Sequence, residues 1–312
     1  MAAKPTFQCT KLTEVLPVPF KSVSATFVPP AGAVFAFWNG KLSRLLASSL
    51  TWCPVEDVKG LPGLVAPCLT ADERLFVMGQ TGMTMGDISL FSIRPEQQQP
   101  GRVVYLATAE ARPPPFQKSV LCAVGSTVVV FGETYLDEIS DGPCRVACFS
   151  SPEGRWLQRE PQGEAPRLRQ RLSAVPLDDR RCLVFMPTED ELAYELYRFD
   201  TFDHSWTPLP TSLAPGAPHP LPLRGSAFSR LGRYVVVTGG LRMVRYTNAV
   251  YLFDTATSTW IDPSSCFSGE LFSPRGSHAS VAISDSSLIL FGGTADAQAP
   301  RDMYRIDLTS SE

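Results

Sequence analysis

Short apolar runs, each closed by glycine or a polar turn, recur along the chain. "VVVTGG" (235–240) leads into the basic stretch "LRMVRYTN" and resumes as "AVYLFDTATSTW", ending on Trp260. Apolar runs of this length bounded by Gly, Asn, Asp or Ser predict strands. The same order returns in "SLILFGGTADAQAPRDMYRIDL": apolar strand, Gly-Gly, polar loop, then Tyr-x-x-Asp. Asp254 follows Gly240 by 14 residues, as Asp307 follows Gly293. A fixed offset of this kind is the signature of a repeat architecture.

Weaker copies keep step. "CLVFMPTEDELAYELYRFDTFDHSW" lacks the glycines but retains Tyr197, Asp200 and Trp206, while an earlier copy keeps Gly132, has Ser150 in place of the aspartate and ends on Trp156. Trp156, Trp206 and Trp260 are spaced by 50 and 54 residues, and Trp52 lies 104 residues before Trp156, leaving room for one further copy around Gly79. The copies fall at about 20–56, 63–108, 116–160, 167–210, 222–263 and 274–308. The last copy stops soon after Asp307, whereas "TFQCTKLTEV" at the start alternates around Phe7. Residues 6–12 are therefore expected to supply the outer strand of the last copy, with Phe7 in the tryptophan's place.

The repeat resembles the kelch repeat of β-propellers. The residues that carry the resemblance are Gly239, Gly240, Tyr251, Asp254 and Trp260, then Gly292, Gly293, Tyr304 and Asp307, supported by Arg275 and His278 in "SPRGSHASVAI". It implies an all-β fold: one domain spanning 1–312, a six-bladed kelch-like β-propeller of four-stranded antiparallel blades, its ring closed by the N-terminal strand. Such blades cannot hide both faces alone and so pack on one another. The glycines supply positive φ and close backbone approach, and each fourth-strand tryptophan is expected to pack on the third-strand tyrosine.

Composition agrees with an all-β chain: 44% apolar residues, 28 prolines and 22 glycines in 312 residues. A formal charge of −3 provides no whole-molecule attraction to nucleic acid. The start lacks the apolar core of a signal peptide, and no stretch approaches 18 apolar residues, so a cytoplasmic protein, with the nucleus as a second possibility, and no membrane insertion are expected. Eight scattered cysteines without a Cys-x-x-Cys pair are expected as reduced, mostly buried thiols. Cys144 and Cys148, four apart on a strand, would share a face.

Catalytic equipment is sparse. His204, His219 and His278 are the only histidines, too few for the two-His, two-Tyr copper centre of galactose oxidase-like propellers. Glu195, Asp200 and His204 resemble the iron-binding run of nitrile-specifier kelch proteins, but Glu and Asp are five apart here rather than four. No phosphate-binding glycine loop or nucleophile elbow is present. The reading is a non-enzyme with no cofactor and no metal.

The candidate partner-binding residues sit in loops and at the starts of the first strands. The loop after Gly240 carries Arg242, Met243, Arg245 and Tyr246, types enriched in interface hot spots. Met83 and Met85 stand in "QTGMTMGD", where polar turn residues would suffice. Lys21, Lys118, Arg171, Arg224 and Arg275 precede or open first strands at matching positions and would form a partial cationic ring; the alternative is that each bonds loop carbonyls. Asp137, Glu138 and Asp141, and Glu189, Asp190 and Glu191, make acidic loops expected to be solvated. The function expected is a non-catalytic protein–protein interaction module, an adaptor, scaffold or complex subunit whose partner is a protein, with an acidic peptide or loop favoured. No BTB or F-box domain is read in the chain, so a ubiquitin-ligase adaptor role is not implied. The alternative is a small-molecule-binding or sugar-isomerising propeller with an arginine-lined central pocket.

Overall fold

The computed structural model describes residues 5–17, 20–38, 41–53, 56–57, 65–80, 88–93, 104–105, 116–134, 142–168, 172–263, 266–296 and 298–309. In chain order, β1 (Thr6–Val15) precedes β2 (Ser24–Val28), β3 (Ala33–Trp38), β4 (Lys41–Leu46), β5 (Thr51–Trp52) and β6 (Glu56–Asp57). Next come β7 (Val65–Leu69), β8 (Leu75–Gln80), β9 (Ile88–Ile93) and β10 (Val104–Tyr105), then β11 (Phe116–Val124), β12 (Thr127–Thr134), β13 (Arg145–Ser150) and β14 (Arg155–Leu157). β15 (Ser173–Pro176), β16 (Arg181–Pro187), β17 (Tyr194–Asp200) and β18 (Ser205–Leu209) follow. The remainder is β19 (Ser212–Leu213), β20 (Ala227–Leu231), β21 (Tyr234–Arg242), β22 (Arg245–Asp254), β23 (Thr259–Ile261), β24 (Phe267–Gly269), β25 (Ala279–Ser284), β26 (Ser287–Phe291) and β27 (Asp302–Thr309). A 3-10 turn at Pro29–Ala31 interrupts the strands, and among the described residues no helix is long and apolar enough to cross a membrane.

The chain divides into two compact units, Met1–Trp38 with Ser43–Pro54 and Thr211–Glu312, and Asn39–Leu42 with Val55–Pro210. The second unit holds three antiparallel meanders, β7 to β10, β11 to β14 and β15 to β18. The first holds β2, β3, β4 from Ser43 onward, β5, β20 to β23, and a sheet in which β25, β26 and β27 are joined by β1. β1 runs antiparallel to β27, pairing Phe7 with Leu308 and Cys9 with Ile306, so chain start and chain end share one sheet.

Two expectations need correction. Not every sheet is four-stranded, because a short connecting segment adds a fifth strand to three of them. β19 pairs parallel to β23, β24 pairs parallel to β1, and β6 pairs with β4. At β23 and β1 an outer strand would otherwise leave a row of unpaired backbone groups, and the passing chain satisfies them, whereas β6 pairs with a part of β4 that β5 does not reach. For the same reason β1 is not outermost: Phe7 has Leu308 on one side and Phe267 on the other. Gly269 makes this approach possible at φ 92°, since a Cβ there would lie 2.0 Å from the Cys9 carbonyl oxygen.

The core lies between sheets. In the first unit Phe7, Val236, Leu252, Leu288, Tyr304 and Ile306 form one apolar cluster, and Phe20, Val34, Trp38, Ile289, Phe291 and Met303 another. In the second unit Val129, Phe131, Val184, Phe199 and Trp206 cluster, as do Phe76, Met78, Val128, Val130 and Phe149. Inner strands are thus covered on both faces, which is why they are continuous apolar runs rather than alternating ones. Tyr234 to Gly240 are all buried. The tryptophan's main partner also differs from expectation. Phe149 faces Trp156, Phe199 faces Trp206 and Phe253 faces Trp260 in the strand register, with ring centroids 5.3, 5.0 and 5.0 Å apart. A tyrosine joins through Tyr197, edge-on to Trp206 at 6.3 Å.

Phe7 is fully buried, edge-on to Tyr234 at 5.5 Å and stacked on Phe267. Phe7→Ala is expected to cost about 3–5 kcal/mol in urea unfolding, and removal of residues 1–14 to lower Tm sharply; an unchanged transition in both would show that β1 contributes nothing to stability.

Candidate functional site

Strands β21 and β22 run on past their neighbours. β20 stops pairing at Thr238 and β23 reaches only to Leu252, so the hairpin from Gly239 to Tyr251 extends beyond the sheet. Arg242 pairs with Arg245 across a two-residue turn, Met243-Val244. Tight hairpin turns need a left-handed residue to match strand twist, and Met243 takes it, at φ 53°. Without glycine's freedom, that conformation costs roughly 1–2 kcal/mol. Met243 is 89% and Val244 85% exposed, the largest values for large apolar side chains among the described residues.

The register slips by one residue between Thr247 and Val250, which breaks the simple alternation of β22, and Arg245, Thr247, Ala249 and Tyr251 all line one groove with Arg242, directly opposite Arg245. The facing wall is the segment before β20. Arg224 N–H donates to the Leu241 carbonyl at 3.1 Å and Leu241 N–H to that of Arg224 at 2.8 Å, which brings Leu221 and Leu223 alongside the hairpin. Gly240 permits the approach: at φ 113°, a Cβ there would lie 2.5 Å from Leu223 Cβ and 2.6 Å from Ser226 Oγ. The result is a groove of about 420 Å³ with Leu221, Leu223, Ala249 and Tyr251 as apolar lining and Arg242 and Arg245 as its charged groups. Among the described residues neither guanidinium has an ion pair or hydrogen-bond partner.

The sequence profile of the "KLHDC2/KLHL20/DRC7 Kelch-repeats domain" matches residues 122–312, more than half of the chain. The chain belongs to the Kelch-repeat family. It is 29% identical over 167 residues to Kelch domain-containing protein 3 of Bos taurus and of Homo sapiens, covering 50% of this chain and 42% of each relative. It is 27% identical over 142 residues to Acyl-CoA-binding domain-containing protein 5 of Arabidopsis thaliana, covering 45% of this chain and 21% of that protein. The alignments therefore span less than half the length of these relatives. With the sheets described above, the family establishes an all-β, kelch-type propeller.

Kelch-repeat residues are structural in their contacts. Asp200 and Asp254 each accept a turn N–H, from Phe202 at 2.9 Å and Ala256 at 3.0 Å, and pair with Arg180 and Arg233. Asp307 binds Ser287 and Arg305. Gly239, Gly292 and Gly293 all have positive φ, and a Cβ on Gly239 would meet the Arg275 carbonyl oxygen at 2.5 Å. Trp206 and Trp260 are buried, and the partly buried Trp52 donates its indole N–H to Met303 Sδ at 3.2 Å. Tyr304 is buried and its hydroxyl donates to Asp302 at 3.0 Å.

Of the candidate binding residues, the hairpin brings together Arg242, Met243, Arg245 and Tyr246. Arg224 is exposed beside the groove wall. Arg275, at the matching place before β25, is fully buried, donating to Ser273, the Gly292 carbonyl and Asp302 and lying over the Tyr304 ring. Burial would raise the Asp302 carboxyl, but the Arg275 hydrogen bond and charge hold it below the usual range. Lys118 lies on β11; Met83, Met85, Arg171 and the acidic residues Asp137, Glu138 and Asp141 fall outside the described residues. In the other acidic loop, Asp190 accepts from Thr188 Oγ1 at 2.6 Å and Leu192 N–H at 3.0 Å, an ordered turn. Sequence reasoning missed Leu221, Leu223 and Ala249, and gave Tyr251 only a scaffold role.

Among the described residues no group of three His, Cys, Asp or Glu side chains is placed to hold a metal ion. All eight cysteines are free, and burial pushes the Cys144 and Cys148 thiols up to about 12. His278 is buried with Nε2 2.9 Å from Thr238 Oγ1; burial, with the Arg275 charge, lowers its pKa to about 3. Burial also lowers that of His204. Unfolded histidine titrates near 6.5, so between these values the unfolded chain binds the extra proton. The contribution of His278 to stability is therefore complete above pH 6.5 and is lost as pH drops toward 3, by up to about 1.4 kcal/mol per pH unit. Urea unfolding between pH 6.5 and 4.5 is expected to show this slope and His278→Gln to flatten it; an equal slope in the variant would remove His278 as the cause.

Proposed function

We propose that the chain is a non-catalytic protein-interaction module, working as an adaptor, scaffold or subunit of a complex in the cytoplasm or nucleus. In this reading residues 1–312 form one domain, a six-bladed ring with blades at about 20–56, 63–108, 116–160, 167–210, 222–263 and 274–308, closed by the N-terminal strand. The repeat spacing and the Kelch-repeat family support that architecture.

The observation that carries the functional reading is the β21–β22 hairpin. It places exposed methionine and valine, two unpaired arginines and an apolar groove at one tip, where the fold needs only a polar turn. Interface anchors combine these features: desolvatable apolar area beside arginine, on a rigid element. The cationic ring is a weaker candidate, since Arg275 has no exposed surface.

Affinity purification with mass spectrometry from the native cell, using wild type and Arg242→Glu/Arg245→Glu, tests this. Both side chains are exposed, so Tm is expected to stay within about 2–4 °C of wild type while partner recovery is lost. Recovery of the same partners by a folded double variant would reject this face.

A further inference from the structure

We infer that the groove beneath the β21–β22 hairpin takes an extended segment of a partner protein that carries an acidic side chain next to a bulky apolar one. This rests on the protein-interaction reading above and specifies its chemistry.

The charge argument comes first. Arg242 and Arg245 are a directly opposed cross-strand pair, and side chains so placed leave the same face from Cα atoms about 4.5–5.5 Å apart. Like charges in that position repel. Four arginines elsewhere on this protein's strands and turns have carboxylates at hand: Arg180 has Asp200, Arg181 has Asp178, Arg233 has Asp254 and Arg305 has Asp307. The hairpin pair has none among the described residues. One carboxylate set between the two guanidiniums would meet both and remove the repulsion, with the forked geometry that favours carboxylate over a point charge.

The apolar argument separates a protein segment from a free anion. An inorganic anion would gain nothing from Leu221, Leu223, Ala249 and Tyr251, nor from the exposed Met243 and Val244. A leucine or phenylalanine beside the carboxylate would cover them. The tyrosine hydroxyls of Tyr246 and Tyr251 have no hydrogen-bond partner among the described residues and are available to the segment's backbone. Nucleic acid is disfavoured by the formal charge of −3 and by a groove holding only two cations.

The test uses a random 12-residue peptide library displayed on phage, selected on the full chain, followed by fluorescence polarisation of labelled enriched peptides. Enriched sequences are expected to hold Asp or Glu within two positions of Leu, Ile, Met or Phe. Affinity is expected to fall at least tenfold in Arg242→Ala/Arg245→Ala and at least threefold in Val244→Ser, with Arg242→Lys/Arg245→Lys between wild type and the alanine pair. Thermal melts confirm that each exposed-site variant is folded. Peptides without acidic residues, or acidic peptides indifferent to the alanine pair, would overturn this inference while leaving the interaction-module reading intact. Complete competition by millimolar inorganic phosphate would overturn it in favour of a simple anion site. Concentration-dependent dimerisation abolished by the alanine pair would reassign the groove to a second copy of the chain. No enriched peptide, together with no partner recovered from cells, would overturn both readings.

Discussion

An antiparallel sheet whose inner strands are apolar on both faces has no stable existence in water without something packed on each face. The packing of the sheets follows from that constraint. Val34, Val236 and Leu288 point into clusters shared with a neighbouring sheet, and burying a side chain of this size contributes about 1.5–3 kcal/mol relative to exposure. The outer strands bear a different burden, since their edges must find hydrogen-bond partners. The tryptophan–phenylalanine pairs fasten fourth strand to third in sheets where the fourth strand has only three to five residues, and β19 and β24 add a further row of backbone bonds. β1 serves both needs, filling the core with Phe7 and the ladder with its backbone.

The glycine pair connects this scaffold to the groove. Gly239 lets the Arg275 carbonyl and His278 close on β21, which is a packing role. Gly240 lets Leu223 close from the other segment, which is what creates the second wall of the groove. An alanine at Gly239 would damage the contact with the next sheet; an alanine at Gly240 would push the Leu221–Arg224 segment away and open the groove. Adjacent residues of one motif thus divide between holding the fold and shaping its surface.

Repeat spacing made much of this legible: Gly240 and Gly293, Asp254 and Asp307, and the tryptophans at 50 and 54 residues locate third and fourth strands without reference to any contact. Phe149, Phe199 and Phe253 were equally readable, each seven residues before its tryptophan, but the more conspicuous tyrosines drew the pairing. The fifth strands were not readable, because two or three residues carry no alternation. Nor were Leu221 and Leu223, which lie in a proline-rich connection and acquire a role only through a bridge to Leu241. Arg224 and Arg275 show the limit most clearly. Both precede Gly-Ser, yet one is exposed and the other buried, since only Arg275 has Asp302 and Ser273 within reach.

The contrast between two hairpin tips bears on which surface is made for a partner. At Asp190 the acidic turn is closed on itself: Thr188 and the Leu192 amide donate to the carboxylate, and the Glu191 amide donates to the Thr188 carbonyl. Those bonds hold the Asp190 carboxyl below its usual pKa range, so its charge is already stabilised within the chain. The β21–β22 tip has no such closure. It combines a left-handed methionine and two opposed arginines, each unfavourable in isolation by an amount of order 1 kcal/mol, with two exposed apolar side chains. A glycine at 243 and a glutamate at 242 or 245 would relieve two of these costs without touching the core. Costs that single substitutions would remove, gathered at one tip and opening onto an apolar groove, are what the proposed partner contacts would offset.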